Sequence, residues 1–234
     1  MDNKPGKTTK YLYILWTLYT LALVLFIIIM VLIGHGKLGF MPDFARLENP
    51  QSNLASELIT EDGELLGKYF IENRSYVDFE ELAPHLVDAL VTTEDVRYYR
   101  HSGIDLRSLM RVAIKSVLLG QDEGGGSTIS QQLAKNLFPR DTTVNKTKIG
   151  RIGHLTINKF KEWNTGVRLE RAYSKNEIIA MYLNTVPFGG ESIVGIKSAS
   201  RTFFNTTPDS LSLDQAAILV GMLKAPTAYN PRIN

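Results

Sequence analysis

The sequence contains no cysteine, which removes disulfides and thiolate metal sites from consideration. Its four histidines are scattered, and no His/Asp/Glu group has the spacing of a metal site. No D-x-D triplet is present to hold a metal-bound nucleotide sugar. No Rossmann or Walker glycine pattern occurs either, because Gly124–Gly126 runs straight into Ser127 without the Lys-Ser/Thr pair of a P-loop. Charge imbalance is small: 26 Lys and Arg against 24 Asp and Glu leave a formal net charge of +2, too little to point to nucleic acid as a partner. Internal repeats are absent. With 44% hydrophobic and 21% charged residues over 234 positions, the chain suits one sizeable domain with an appendage. Carboxylates, amides and cations remain to carry chemistry.

One long apolar run is present. From Leu12 to Ile33 no residue is charged, and a helix of that length spans the roughly 30 Å of a bilayer's hydrocarbon core. Tyr11, Tyr13, Trp16 and Tyr19 crowd one end, as interfacial aromatics do. Lys4, Lys7 and Lys10 precede the run, and only Lys37 and Arg46 follow closely. The positive-inside bias predicts a single-pass anchor, its N-terminus in the cytoplasm and the rest of the chain outside the cytoplasmic membrane. The expected organisation is a cytoplasmic tail over 1–10, a transmembrane anchor over 11–33, a linker over 34–54 and a folded domain over 55–234.

The domain begins with "ASELITEDGELLGKYF", which reads as two short strands around the turn pair Asp62-Gly63. Beyond Phe79 helical patterns dominate. The stretch "HLVDALVTTEDVRYYRH" predicts a helix ending near Gly103, and Asp105 and Gly120 are expected to cap the next one. Further helices are expected over Ser127–Asn136, Leu155–Ala172, Lys175–Leu183, Ile193–Phe203 and Leu213–Leu223. The predicted fold class is therefore mainly α. In the helix after Asp105, Arg107, Arg111 and Lys115 form a stripe four residues apart among Leu106, Leu109, Met110, Ala113 and Ile114. It reads either as a core helix with one basic wet face or as a helix lying on a membrane surface.

Two acids have mixed surroundings. Glu94, beside Asp95, closes an apolar helix just before Tyr98, Tyr99 and His101, and Glu162 is flanked by Lys159, Lys161 and Trp163. Carboxylates in unlike environments are the pattern expected where one moves protons and the other stabilises charge, although solvated helix carboxylates are the commoner case. The segment "GGGSTISQQLAKN" (Gly124–Asn136) is the densest polar stretch. Thr128 and Gln131 fit a capping box. That leaves Ser127, Ser130, Gln132, Lys135 and Asn136, which suit a ligand carrying both sugar and phosphate.

These segments resemble a known family. "TEDVRYYRHSGID" (Thr93–Asp105), "GGSTISQQLAKNLF" (Gly125–Phe138), "KFKEWNTGVRLE" (Lys159–Glu170), "KNEIIAMYLNTVPFG" (Lys175–Gly189) and "AAILVGMLKAPTAYNP" (Ala216–Pro231) are similar, in order, to the five motifs of the lysozyme-like peptidoglycan glycosyltransferases. That family includes monofunctional enzymes and the N-terminal part of class A penicillin-binding proteins. The resemblance runs from about Ala55 to Asn234. It implies a lysozyme-like helical fold that polymerises lipid II into β-1,4 glycan strands for the cell wall and cell shape.

Carried over by motif, the resemblance makes Glu94 the general base and sets Glu162 near the donor diphosphate, acting directly or through a divalent cation (Mg or Mn). No obligatory cofactor is implied. It implies substrate contacts at Asp95, His101, Gly103, Ser127, Thr128, Gln131, Gln132, Lys135, Asn136, Arg151, Lys159, Arg168 and Asn184. The inhibitor moenomycin is expected to compete for the Ser127–Lys135 wall. Expected partners are lipid II, the growing strand, membrane lipids and other cell-wall or division proteins.

Three departures from the family pattern stand out. Asn158 replaces a usual Arg or Lys, Gly166 replaces a usual Ala, and the further donor-binding Arg of some members falls to Arg151 or His154. Arg140, Lys146, Lys148 and Arg151 make that connection basic, as either a lid over lipid phosphates or a solvated loop. No S-x-x-K or K-T-G occurs in these residues, so they hold no penicillin-binding transpeptidase site. The "PTAYNPRIN" run favours the N-terminal portion of a bifunctional enzyme whose longer chain would carry that domain. The rival readings are a glycan-cleaving enzyme on the same kind of fold and a silent anchor that recruits partners.

Overall fold

The computed structural model describes residues 7–37, 56–59, 65–69, 76–119, 125–138, 148–188, 193–224 and 229. It is mainly helical. Helix α1 (Lys7–Gly34) is long and apolar enough to cross a membrane, and nearly all of it is exposed. Among the described residues, its second half meets the rest of the chain. Ile33 is fully buried, Gly34 lies against Asn164, and the Phe26 ring sits edge-on to Phe160, with centroids 5.5 Å apart.

Strands β1 (Ser56–Ile59) and β2 (Leu65–Tyr69) pair antiparallel, with Ser56 opposite Tyr69 and an irregularity between Leu58 and Ile59. The expected Asp62-Gly63 turn lies outside the described residues, as do Gly120, Arg140 and Lys146.

Among the described residues, seven α-helices follow: α2 (Pro84–Glu94), α3 (Leu106–Leu119), α4 (Ile129–Leu137), α5 (Lys148–Ala172), α6 (Lys175–Thr185), α7 (Ile196–Phe204) and α8 (Leu213–Lys224). Short helix α4 lies at the centre, packed against both α5 and α6. Its Ile129, Leu133 and Ala134 join Leu169 of α5 and Ile178, Ile179 and Leu183 of α6 in one core. Helix α2 packs on α8 through Leu86, Val87 and Leu90, with Leu219, Val220 and Met222 in the same core. Pro84 opens α2, where a missing N–H costs nothing.

Two boundaries differ most from the sequence expectation. Helix α2 stops at Glu94 instead of running towards Gly103, and Tyr98–Arg100 forms a separate 3-10 turn. The chain breaks at Asp95 because its carboxylate accepts the Ile129 N–H and faces His101, holding the backbone at φ −155° and ψ 72°. Helix α5 starts at Lys148, a full turn and more before Leu155, because Gly150 and Gly153 do not break it.

Helix α3 bears on one of the open alternatives. Leu106, Met110 and Ile114 are 70%, 64% and 51% exposed, so its apolar stripe faces outward beside the exposed Arg107 and Arg111. These three apolar residues are not buried as those of a core helix would be.

Candidate active site

The site is assembled where the first three motifs meet. Gly103 has φ +89°, and a Cβ there would lie 2.9 Å from backbone atoms of Gly166 and Val167 on α5. A side chain at this crossing is therefore excluded on two counts. The Gly103 carbonyl accepts hydrogen bonds from Thr128 Oγ1 at 2.8 Å and from Gln131 Nε2 at 2.9 Å. Thr128 also caps α4 by accepting the Gln131 N–H at 3.3 Å. The capping box is thus half formed, because the Gln131 side chain turns to Gly103 instead of the cap backbone.

Asp95 ties the first motif to the second. Both its oxygens lie 3.0 Å from His101 Nε2, and Oδ2 accepts the Ile129 N–H at 3.2 Å. Behind this sits a second buried network. Ser130 donates to Glu170, Glu170 pairs with Lys175 at 2.8 Å, and Lys175 donates to the His101 carbonyl at 2.7 Å. The Lys175 ammonium also stands 4.1 Å from the Tyr98 ring centroid, a cation–π contact. Burial pushes the Tyr98 phenol well up, with Glu170, Tyr99 and Asp95 adding to it.

Glu94 and Glu162 project from this frame. Glu94, at the end of α2, accepts a 2.8 Å hydrogen bond from Gln132 Nε2, and Gln132 Oε1 accepts one of 3.0 Å from Tyr182 Oη. Glu162 is 7% exposed. Its Oε2 pairs with Lys159 Nζ at 3.1 Å, and the same ammonium donates to Ser127 Oγ at 2.7 Å. A cavity of about 310 Å³ lies between α2, α3 and the start of α4, lined by Glu94, Asp105, Ser108, Arg111, Lys115 and Ser127 among others. The chain Glu162–Lys159–Ser127 ends at its wall, and Glu94 stands in it. A hydroxyl-bearing, anionic ligand fits that lining: it offers a carboxylate to take a proton and fixed cations to hold negative charge.

A transglycosylase family description matches residues 62–234, most of the chain. The chain belongs to the transglycosylase family. It is similar to penicillin-binding protein 1A of Aquifex aeolicus, with 36% identity over 192 residues, 82% of this chain and 25% of that protein. It is also similar to penicillin-binding protein 1F of Bacillus subtilis, with 36% identity over 177 residues, 76% and 23% of the two chains. For penicillin-binding protein 1A of Escherichia coli the figures are 33% over 193 residues, 82% and 21%. The chain thus spans about a quarter of the length of the curated relatives it matches.

Within this transglycosylase, Glu94, Asp95, Ser127 and Thr128 line the cavity, and Gln132, Lys159 and Glu162 are joined to it by hydrogen bonds. Lys135 is exposed, Arg168 is half-buried, and Asn136 is half-buried with its Nδ2 unpartnered. Asn184 is turned elsewhere: its amide bonds the Val77 N–H and C=O at 3.0 and 2.8 Å, fixing the segment before α2. His154 faces Asn158, with 3.2 Å between the ring Nδ1 and the amide. The Arg151 side chain lies outside the described residues.

Arg111 and Lys115 were not among the site residues expected from sequence, although their four-residue spacing marks one helix face. Tyr182 was also missed. It sits in an apolar helix and carries no signal of its own. For a divalent cation, no three His, Asp or Glu side chains converge among the described residues, and the neighbour of Glu162 is an ammonium. A cation at Glu162 would therefore take most of its ligands from substrate phosphate and water, the usual way in which magnesium is held.

Proposed function

We propose that this chain is a peptidoglycan glycosyltransferase that polymerises lipid II, with Glu94 as general base. The observation that carries this reading is the cavity with Glu94 in it and the Ser127–Lys159–Glu162 chain ending at its wall. Glu94 takes the proton from the 4-hydroxyl of the acceptor sugar. The oxygen attacks the anomeric carbon of the donor, the C–O bond to the lipid diphosphate breaks, and configuration inverts. Negative charge grows on the departing diphosphate, where a fixed ammonium acts most strongly. Lys159 is that ammonium, and Glu162 holds it in position. Arg111 and Lys115, facing the cavity, balance the charge of the lipid-linked substrate.

Asp95, His101, Gly103, Thr128 and Gln131 serve this site as its frame, because hydrogen bonds tie His101 to Asp95 and both Thr128 and Gln131 to the Gly103 carbonyl. Helix α1 would anchor the enzyme in the cytoplasmic membrane, and the exposed Leu106–Met110–Ile114 stripe with Arg107 suits a helix resting on lipid. The substrate's lipid tail could then stay in the bilayer while its sugars reach the cavity.

The test is conversion of labelled lipid II by the detergent-solubilised protein into polymer that a muramidase degrades to disaccharide units. Moenomycin should block it by competing for the Ser127–Lys135 wall. Release of soluble fragments from finished glycan, without polymer, would transfer support to a glycan-cleaving enzyme.

A further inference from the structure

We infer that Tyr182 is a positioning residue for the glycosyl transfer: its hydroxyl locks the Gln132 side-chain amide in the orientation that presents NH2 to Glu94. This rests on the reading of Glu94 as the base. A side-chain amide has an acceptor end and a donor end, and an ionised carboxylate only accepts. Only one orientation of Gln132 therefore attracts Glu94, whereas a half-turn would set the carbonyl oxygen against the carboxylate.

Tyr182 selects the attractive orientation. Its Oη stands 3.0 Å from Gln132 Oε1, while Gln132 Nε2 stands 2.8 Å from Glu94 Oε2. With the amide reversed, NH2 would meet the phenol and the tyrosine proton would lose its acceptor. The hydroxyl is also a dependable donor. The side chain is 1% exposed, and burial, followed by the charge of Glu94, pushes the phenol far above its ordinary value, so it stays protonated. The three residues sit on α2, α4 and α6, and α6 is held by the buried Ile178, Ile179 and Leu183. The result is a rigid arm reaching from the core to the base. With Oε2 engaged, the other oxygen of Glu94 is left to take the acceptor's proton.

The experiment is a double-mutant cycle with Tyr182→Phe and Gln132→Leu, read as kcat and KM for lipid II polymerisation. Tyr182→Phe keeps the ring and the packing. It should lower kcat about three- to tenfold, the range of one hydrogen bond, with KM and Tm nearly unchanged. In the Gln132→Leu background the same change should cost nothing further. Equal losses in both backgrounds, or a rise in KM with kcat unchanged, would overturn the relay. A second readout needs no turnover: exchange of the Gln132 side-chain amide protons, followed by NMR, should quicken in Tyr182→Phe. Unaltered exchange would also overturn it. Failure of the parent to make polymer, or full activity of Glu94→Gln, would instead count against the base assignment, so the two failures are distinguishable.

Discussion

Glu94 and Glu162 are the same residue type in contrasting company. Glu94 closes a helix, stands in the cavity and is held by a neutral amide. Glu162 lies inside the long helix α5, almost fully buried, and is held by an ammonium that also reaches Ser127. A neutral amide orients a carboxylate through one hydrogen bond, whereas an ammonium forms an ion pair with it and keeps further N–H groups for a second acceptor, here Ser127. The first arrangement suits a group that trades a proton, and the second suits a group whose task is to hold its cation. Sequence proximity to lysines hinted at the difference, but the packing of α4 between α5 and α6 creates it.

That contrast can be broken most severely at the ammonium side. Glu162→Gln and Lys159→Met should each lower polymerisation by about a hundredfold or more, the scale of losing one preorganised charge contact. Lys159→Met should also lower Tm, because it takes the ammonium away from a buried carboxylate. A Lys159→Met protein with full activity and unchanged Tm would erase the distinction between the two sites.

The next test strikes the crossing that holds both carboxylates in register. Gly103→Ala must place a Cβ 2.9 Å from the α5 backbone at a positive φ, which should destabilise the fold by about 2–4 kcal/mol. Thermal unfolding reads this directly.

A smaller effect concerns Asp105, which lines the cavity beside Glu94. Burial raises its pKa, but hydrogen bonds from Ser108 and from the Arg107 N–H, with the Arg97 charge, outweigh burial and hold it below the ordinary 3.8. Its folded value being depressed, its contribution is fully present above pH 3.8 and is lost as pH falls through the folded value. Asp105→Asn should therefore cost about 1 kcal/mol near neutrality and leave a shallower decline of stability in acid, measured by denaturant titration across pH.

The smallest effect runs the other way. At Gly166, one turn beyond Glu162, an added Cβ meets Gln131 at 3.4 Å, an ordinary contact. Gly166→Ala should stabilise helix α5 by about 0.5–1 kcal/mol and leave activity intact.

Much of the fold was legible in the residues. The uncharged run Leu12–Ile33 marked α1, and Thr128 before an apolar-periodic stretch marked the start of α4. The first two polar motifs marked segments that line the cavity. Legibility failed where a distant partner decides the outcome. Asp95 ends α2 only because Ile129, far along the chain, supplies an N–H to its carboxylate. The exposed stripe of α3 followed the same helical periodicity that a buried face would show. Tyr182 looks like one more apolar-helix aromatic until Gln132 and Glu94 are seen in line with it.

The most direct measurement gives labelled lipid II to the solubilised protein and to its Glu94→Gln variant, both shown to be folded by equal Tm. The account predicts glycan polymer from the parent and at least a hundredfold less from the variant, the scale of a lost general base. Polymer at comparable rates from both would contradict the assignment of Glu94 as the base.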